Sequence, residues 1–161
     1  MKQLPQPHSG QFDGPRHLFA VRVYYEDTDL SGIVYHANYL RWFERARSDM
    51  LRLWGIDQRS AQESGEGVYS VADLKIRYRA PARLDDDVLV ESSALHLGAA
   101  SVTLRQCAFR IEGGQASELL AEADVRIGFI SPDGRPRRQP AAWRDALASH
   151  LPAQEPEMPN A

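Results

Sequence analysis

A single cysteine, Cys107, among 161 residues leaves no partner for an internal disulfide, so packing and hydrogen bonding must hold this chain together. Such usage suits a reducing compartment, and a cytoplasmic protein is the expectation. Long apolar runs are also missing. No stretch approaches the roughly 20 residues that a membrane-crossing helix needs, and Met1 to Gly14 is polar and Pro/Gly-rich with no apolar centre, unlike a signal peptide. Positive charge is scarce as well: 19 Lys and Arg stand against 22 Asp and Glu, for a net charge of -3. The one dense basic run, Arg135 to Arg138 around Pro136, is too short for an electrostatic footprint. No nucleic-acid partner and no membrane insertion are therefore expected. Paired His or Cys spacing is absent, which removes the usual zinc patterns, and no metal is assigned. The length fits one domain. It is expected over residues 18–151, between a flexible tail at 1–17 and a disordered Pro-rich tail at 152–161.

What is present reads as one helix and several strands. From Tyr39 the apolar residues Tyr39, Leu40, Phe43, Ala46, Met50, Leu51 and Trp54 recur at steps of three and four, and Gly55 supplies a stop. Leu74, Ile76 and Tyr78 alternate with Lys75, Arg77 and Arg79, the period of a half-buried strand that Pro81 ends. Phe19 to Tyr25, Val88 to Leu97, Val102 to Ile111 and Leu119 to Phe129 complete five strand candidates. Gly98 to Ser101 is a predicted hairpin turn, and Gly113-Gly114 and Pro132-Asp133-Gly134 punctuate the rest. Ala141 to Leu151 is predicted as a short terminal helix. The order strand, helix, then four strands implies an α+β fold, a curved antiparallel sheet wrapped around one long helix.

Chemistry concentrates between Tyr25 and Leu40. Two acids, Asp27 and Asp29, a Ser31-Gly32 turn and His36 lie between a strand and a helix start that Asn38 is predicted to cap. A helix N-terminus offers unpaired N–H groups and a positive dipole end, so an oxyanion placed there is stabilised. Taken alone, Asp27 and Asp29 are ordinary turn and capping acids. His36 and Tyr25 read equally as local packing. Asp27-x-Asp29-x-Ser31-Gly32 also imitates half of a calcium loop, but Asn38 stands where a bidentate Glu is needed and a strand precedes it. Glu44 is expected to pair with Arg47 or Arg41, Cys107 to be a small buried residue, and His96 to be structural.

The run Glu26-Asp27-Thr28-Asp29, then Gly32-Ile33-Val34-Tyr35-His36-Ala37-Asn38-Tyr39 and Glu44-Arg45-Ala46-Arg47, resembles the hotdog-fold acyl-CoA thioesterases of the 4-hydroxybenzoyl-CoA thioesterase group, most closely the YbgC-type, Tol-Pal-associated branch. Ile76 to Asp86 is similar to that branch too, and the likeness spans roughly Leu18 to Pro140. It implies a hotdog fold and hydrolysis of acyl-CoA, with acyl carrier protein thioesters as a further substrate class and no cofactor beyond the CoA of the substrate. It implies Asp29, not Asp27, as the catalytic acid, with Tyr25 and His36 beside it and the His36 N–H polarising the thioester carbonyl. A cell-envelope role and a homo-oligomer, a dimer of dimers (homotetramer), are implied as well. The same fold also serves non-catalytic acyl-binding modules and hydro-lyases; an aspartate with both partners favours the hydrolase. General-base and anhydride routes stay open, as does the acyl group.

Overall fold

The computed structural model describes residues 1–151; the Pro-rich stretch 152–161 lies outside the described residues. Six strands occur among the described residues, β1 (Gln11–Asp13), β2 (Arg16–Arg22), β3 (Val68–Tyr78), β4 (Asp87–Leu97), β5 (Ser101–Glu112) and β6 (Gln115–Ile130). They form one sheet in the order β1-β2-β4-β5-β6-β3, with every neighbouring pair antiparallel. Three helices accompany it: α1 (Asn38–Leu53), α2 (Gln58–Glu63) and α3 (Ala141–Ala148).

Helix α1 lies against one sheet face because its apolar residues fall on one side. Trp42, Phe43, Ala46 and Met50 are buried with Val88, Val90, Leu104 and Val125 of the sheet in a single core. Each valine, leucine, phenylalanine or methionine among them contributes on the order of 1.5–3 kcal/mol when taken out of water. The sheet edges are β1 and β3. β3 is largely exposed along its length, whereas β4 and β5 alternate buried with half-buried positions.

Several expectations need correction. The sheet has six strands, not five: β1 and the start of β2 fall inside the stretch assigned to a flexible tail, where they pair as a hairpin with Gln11 opposite Leu18. Three residues are too few to show alternation. β2 ends at Arg22, and Tyr25–Asp27 is a 3-10 turn. β3 starts at Val68, ahead of the predicted Leu74, because Ser70 to Asp73 are all exposed and leave no alternation to read. α2 was not foreseen, and α3 ends at Ala148. In β6 the register slips opposite Ala108 and Phe109, so Leu120 enters the core and Leu119 is only half-buried. Cys107 is half-buried, and burial together with Glu91 and Glu122 pushes its thiol up to about 11.

One buried polar junction ties the first strands to the helix. His17, fully buried, donates from Nε2 to Asp49 Oδ2 at 2.7 Å, and Asp49 also accepts from the Gly10 N–H and the Ser9 hydroxyl, each at 2.9 Å. Gly10 is required here: a Cβ would sit 2.3 Å from the Leu18 carbonyl and 2.8 Å from Asp49 Oδ2. Burial holds His17 below its ordinary value, as a neutral imidazole. Burial would raise Asp49, but the bonds from His17, Gly10 and Ser9 outweigh it and hold the carboxylate low.

Candidate active site

Residues 28–34 fold back on themselves in front of α1. Thr28 and Val34 form an isolated antiparallel bridge. The Asp29 N–H donates to the Ile33 carbonyl at 3.1 Å, and the Gly32 N–H returns to the Asp29 carbonyl at 3.0 Å. Gly32 takes φ +79°, a left-handed conformation that a side chain would strain. At this bend the Asp29 side chain is exposed, and its Oδ1 accepts from the Ser31 hydroxyl and, at 2.8 Å, from the Ser31 N–H. Those two bonds, the hydroxyl's first, hold Asp29 below the usual carboxylate range, and nearby His36 adds to the effect. Asp29 is thus an ionised, fixed carboxylate at neutral pH.

Asp27 does different work. It is buried, its Oδ2 accepts from the Tyr24 N–H at 2.8 Å, and its carbonyl accepts from the Tyr35 N–H at 2.8 Å. Asn38 was expected to cap α1, yet Ala37 is the N-cap residue and makes no side-chain cap bond. The Asn38 amide instead donates to Asp27 Oδ1 at 2.6 Å. The sequence reading of Asp27 as a turn acid holds, and its second partner lies across the loop.

Residues of the second motif hold the loop from outside. The Val34 N–H donates to the Ala82 carbonyl at 2.9 Å, and the Ala82 N–H donates to the buried Tyr39 hydroxyl at 3.1 Å. Arg110 binds Asp86 and, at 2.8 Å, the Pro81 carbonyl, fixing the segment after β3. Tyr78, the last residue of β3, donates to the His36 carbonyl at 2.8 Å.

The predicted site residues fall as follows. His36 is exposed just before α1, its ring 4.5 Å from that of Tyr35 and 6.2 Å from that of Tyr78. Its backbone N–H has no acceptor among the described residues. Tyr25 is 83% exposed, and its hydroxyl has no hydrogen-bond partner among the described residues; its carbonyl accepts from Thr28. The fold thus brings Asp29 and His36 to one loop and leaves the Tyr25 phenol exposed nearby. Ser31 and Tyr78 were not foreseen. The Asp-x-Ser spacing was the available signal for Ser31, since that turn chemistry is local; nothing local marks Tyr78. Glu44 pairs with Arg47, as expected. Among the described residues no group of three or more His, Cys, Asp or Glu could hold a metal, and no helix is long and apolar enough to cross a membrane.

A family model described as the thioesterase superfamily matches residues 31–117. The chain belongs to that superfamily. The matched span takes in His36 and the second motif and begins just past Asp29. The chain is 37% identical over 125 residues to an acyl-CoA thioesterase YbgC of Haemophilus influenzae, covering 78% of this chain and 92% of that protein. It is 38% identical over 112 residues to the acyl-CoA thioester hydrolase YbgC of Escherichia coli O157:H7, covering 70% and 80%. Among solved structures, a probable thioesterase from Bartonella henselae superposes with a TM-score of 0.69 at 35% identity, over 78% of this chain and 99% of that one. A 4-hydroxybenzoyl-CoA thioesterase variant bound to 4-hydroxybenzoyl-CoA shares the fold, with a TM-score of 0.75 at 22% identity over 83% and 99%. The expected α+β hotdog architecture is the one observed, a helix packed on an antiparallel sheet.

Proposed function

We propose that this thioesterase-superfamily protein hydrolyses acyl-CoA to free acid and CoA with Asp29 as the reacting carboxylate. The observation that carries the reading is the Ser31-held, ionised Asp29 beside the open start of α1. As a general base, Asp29 takes a proton from water as the water oxygen bonds to the thioester carbon. The carbonyl oxygen becomes an oxyanion, for which the unpartnered His36 N–H is a preorganised donor. The C–S bond then breaks. The CoA thiolate leaves with little assistance, since a thiol ionises near pH 8.5. As a nucleophile, Asp29 would form a mixed anhydride that water opens, with the same products. The His36 imidazole and the Tyr25 hydroxyl then orient water and substrate and manage protons. The names of the YbgC relatives support acyl-CoA as substrate; an acyl carrier protein thioester presents the same bond.

The acyl group has a place to go. A cavity between α1 and the sheet is lined by Glu44, Ser48, Tyr69, Val71, Val102 and Ile127. Tyr78 of β3 binds the start of α1 at His36, and Val71 of the same strand lines this cavity with Ser48 of α1, so an acyl chain laid between the two elements from the loop would reach it. A homo-oligomer is part of the proposal, and a dimer of dimers the assembly proposed. Leu30 and Tyr25 stand exposed around Asp29, and β3 leaves a long free edge; a second copy would cover both and dry the site. A cytoplasmic location fits the lone Cys107.

Thiol release from a panel of acyl-CoAs by the wild type and Asp29→Asn tests the reading. A loss of at least about a hundredfold in kcat/KM, with an unchanged melting temperature, is expected. Retention of more than about a tenth of wild-type turnover removes Asp29 from the chemistry. An absence of thiol release by the wild type from every acyl-CoA favours a binding module.

A further inference from the structure

The His36 carbonyl is spoken for by a residue from the far edge of the sheet. Tyr78 Oη donates to it at 2.8 Å across 42 residues of sequence. The peptide on the other side of His36 is fixed as well, since the Tyr35 carbonyl accepts the Asn38 N–H at 2.9 Å. The Asn38 bond orients the Tyr35–His36 peptide that carries the His36 N–H, and the Tyr78 bond orients the next one; with both planes tied, the φ and ψ of His36 are set, and with them the direction of the Cβ that carries the imidazole. Tyr78 acts on the ring too: its own ring meets the imidazole edge-on at 6.2 Å and that of Tyr39 at 5.6 Å. Tyr39 is buried and anchored through its hydroxyl to Ala82, so the ring that braces Tyr78 is itself immobile.

We propose that Tyr78 is a positioning residue of thioester hydrolysis: by anchoring the His36–Ala37 peptide it fixes the His36 Cα from its far side, and so steadies the His36 N–H and imidazole in the orientation that the thioester carbonyl meets. The inference rests on the reading of Asp29 and His36 given above. A donor aimed at a developing oxyanion is effective only if its direction is set before reaction, because realignment during the step costs what preorganisation saves. At the first turn of α1 no preceding helical residue supplies that rigidity. Burial raises the Tyr78 hydroxyl above its ordinary value, so it keeps the proton that it donates. Tyr78 is 46% exposed, so water can satisfy the His36 carbonyl once the hydroxyl is gone. The fold survives its removal and the alignment does not.

Tyr78→Phe and Asp29→Asn should be measured side by side on one acyl-CoA, with amide spectra of the unliganded proteins. For Tyr78→Phe the expected result is a fall in kcat of about tenfold with KM within about twofold, since misplacement is felt in the transition state. The shape of the pH–rate profile should not change, and the Ala37 amide, whose peptide loses the bond, should shift in the spectrum. Wild-type kcat in Tyr78→Phe alongside an inactive Asp29→Asn would overturn the proposal and leave the Asp29 reading standing. An active Asp29→Asn would remove the reading beneath it. A drop in melting temperature above about ten degrees for Tyr78→Phe, several times what one hydrogen bond accounts for, would show that the hydroxyl serves the fold and would also overturn it.

Discussion

Asp27 and Asn38 are joined inside the protein by a 2.6 Å hydrogen bond across 11 residues, the Asn38 amide donating to Asp27 Oδ1. The other oxygen of the same carboxylate receives the Tyr24 N–H. One buried acid thus clasps the exit of β2 to the first turn of α1, with the loop of Asp29 strung between them.

Asp27→Asn should therefore cost stability rather than chemistry. Asparagine offers one acceptor where two donors converge, so its own amide faces a donor and one buried partner goes unpaired, a loss of about 1–3 kcal/mol. For a chain of this size that lowers the melting temperature by roughly 2–12 °C. Turnover of the folded fraction should fall far less than for Asp29→Asn. Equal losses of turnover in the two variants, with no change in melting, would contradict this division of labour.

Ser31→Ala removes the hydroxyl that contributes most to lowering Asp29. The carboxylate should then titrate closer to the ordinary aspartate value, and the acid limb of kcat/KM should move to higher pH. Activity at pH 7 should change much less, because Asp29 is ionised there in either protein. A pH–rate series from pH 3.5 to 8 on both proteins decides it; an acid limb that stays in place would mean that a different group sets it.

The junction at Asp49 predicts how acid acts on the fold. Because His17 is held below 6.5 in the folded protein, the unfolded chain takes up that proton first. The stability linked to His17 is complete above about pH 6.5 and declines as pH falls toward its folded value. Asp49 is depressed from 3.8, so its contribution is present above that value and is lost in stronger acid. Melting temperature should fall between pH 7.5 and 5.5, and the fall should be shallower in His17→Gln. His150 and His8 lie near the same aromatic cluster, His150 stacking on Phe12 and His8 near Phe19. The slope of the variant reports what they contribute. Identical slopes would acquit His17.

Specific activity should decline on dilution once the chains separate. Sedimentation and thiol release measured over the same concentration series are expected to fall together, as mass action requires of a site that a neighbouring copy completes. A well-folded monomer with undiminished turnover per chain would refute a shared site.

The sequence revealed what local periodicity can carry. The helix from Tyr39, the alternation around Ile76 and the punctuation at Gly98 and Gly113-Gly114 each reflect one face or one turn, and each has its counterpart in the fold. Asp29 and His36 stood out because a dense motif surrounds them, and the fold places both on the loop ahead of α1. Ser31 was read only as part of a turn, although the Asp-x-Ser spacing that ties it to Asp29 was in plain view. Tyr78 and Asp49 were harder, because their meaning lies in partners 42 and 32 residues away. Even so, Asp49 sits on the buried side of α1 beside Met50, and an acid there demands a donor. That demand was the missed clue to β1, since the donors are Ser9, Gly10 and His17.

The convergence on Asp49 also sets how far the chain can be trimmed. Residues before His8 make no bond to the helix among the described residues, so tags or fusions can replace them at little cost. A protein shortened to begin at Gln11 keeps every predicted site residue yet strips the buried carboxylate of two of its three donors. For anyone engineering this enzyme, His8 against Phe19 and Ser9 on Asp49 mark where the working part begins.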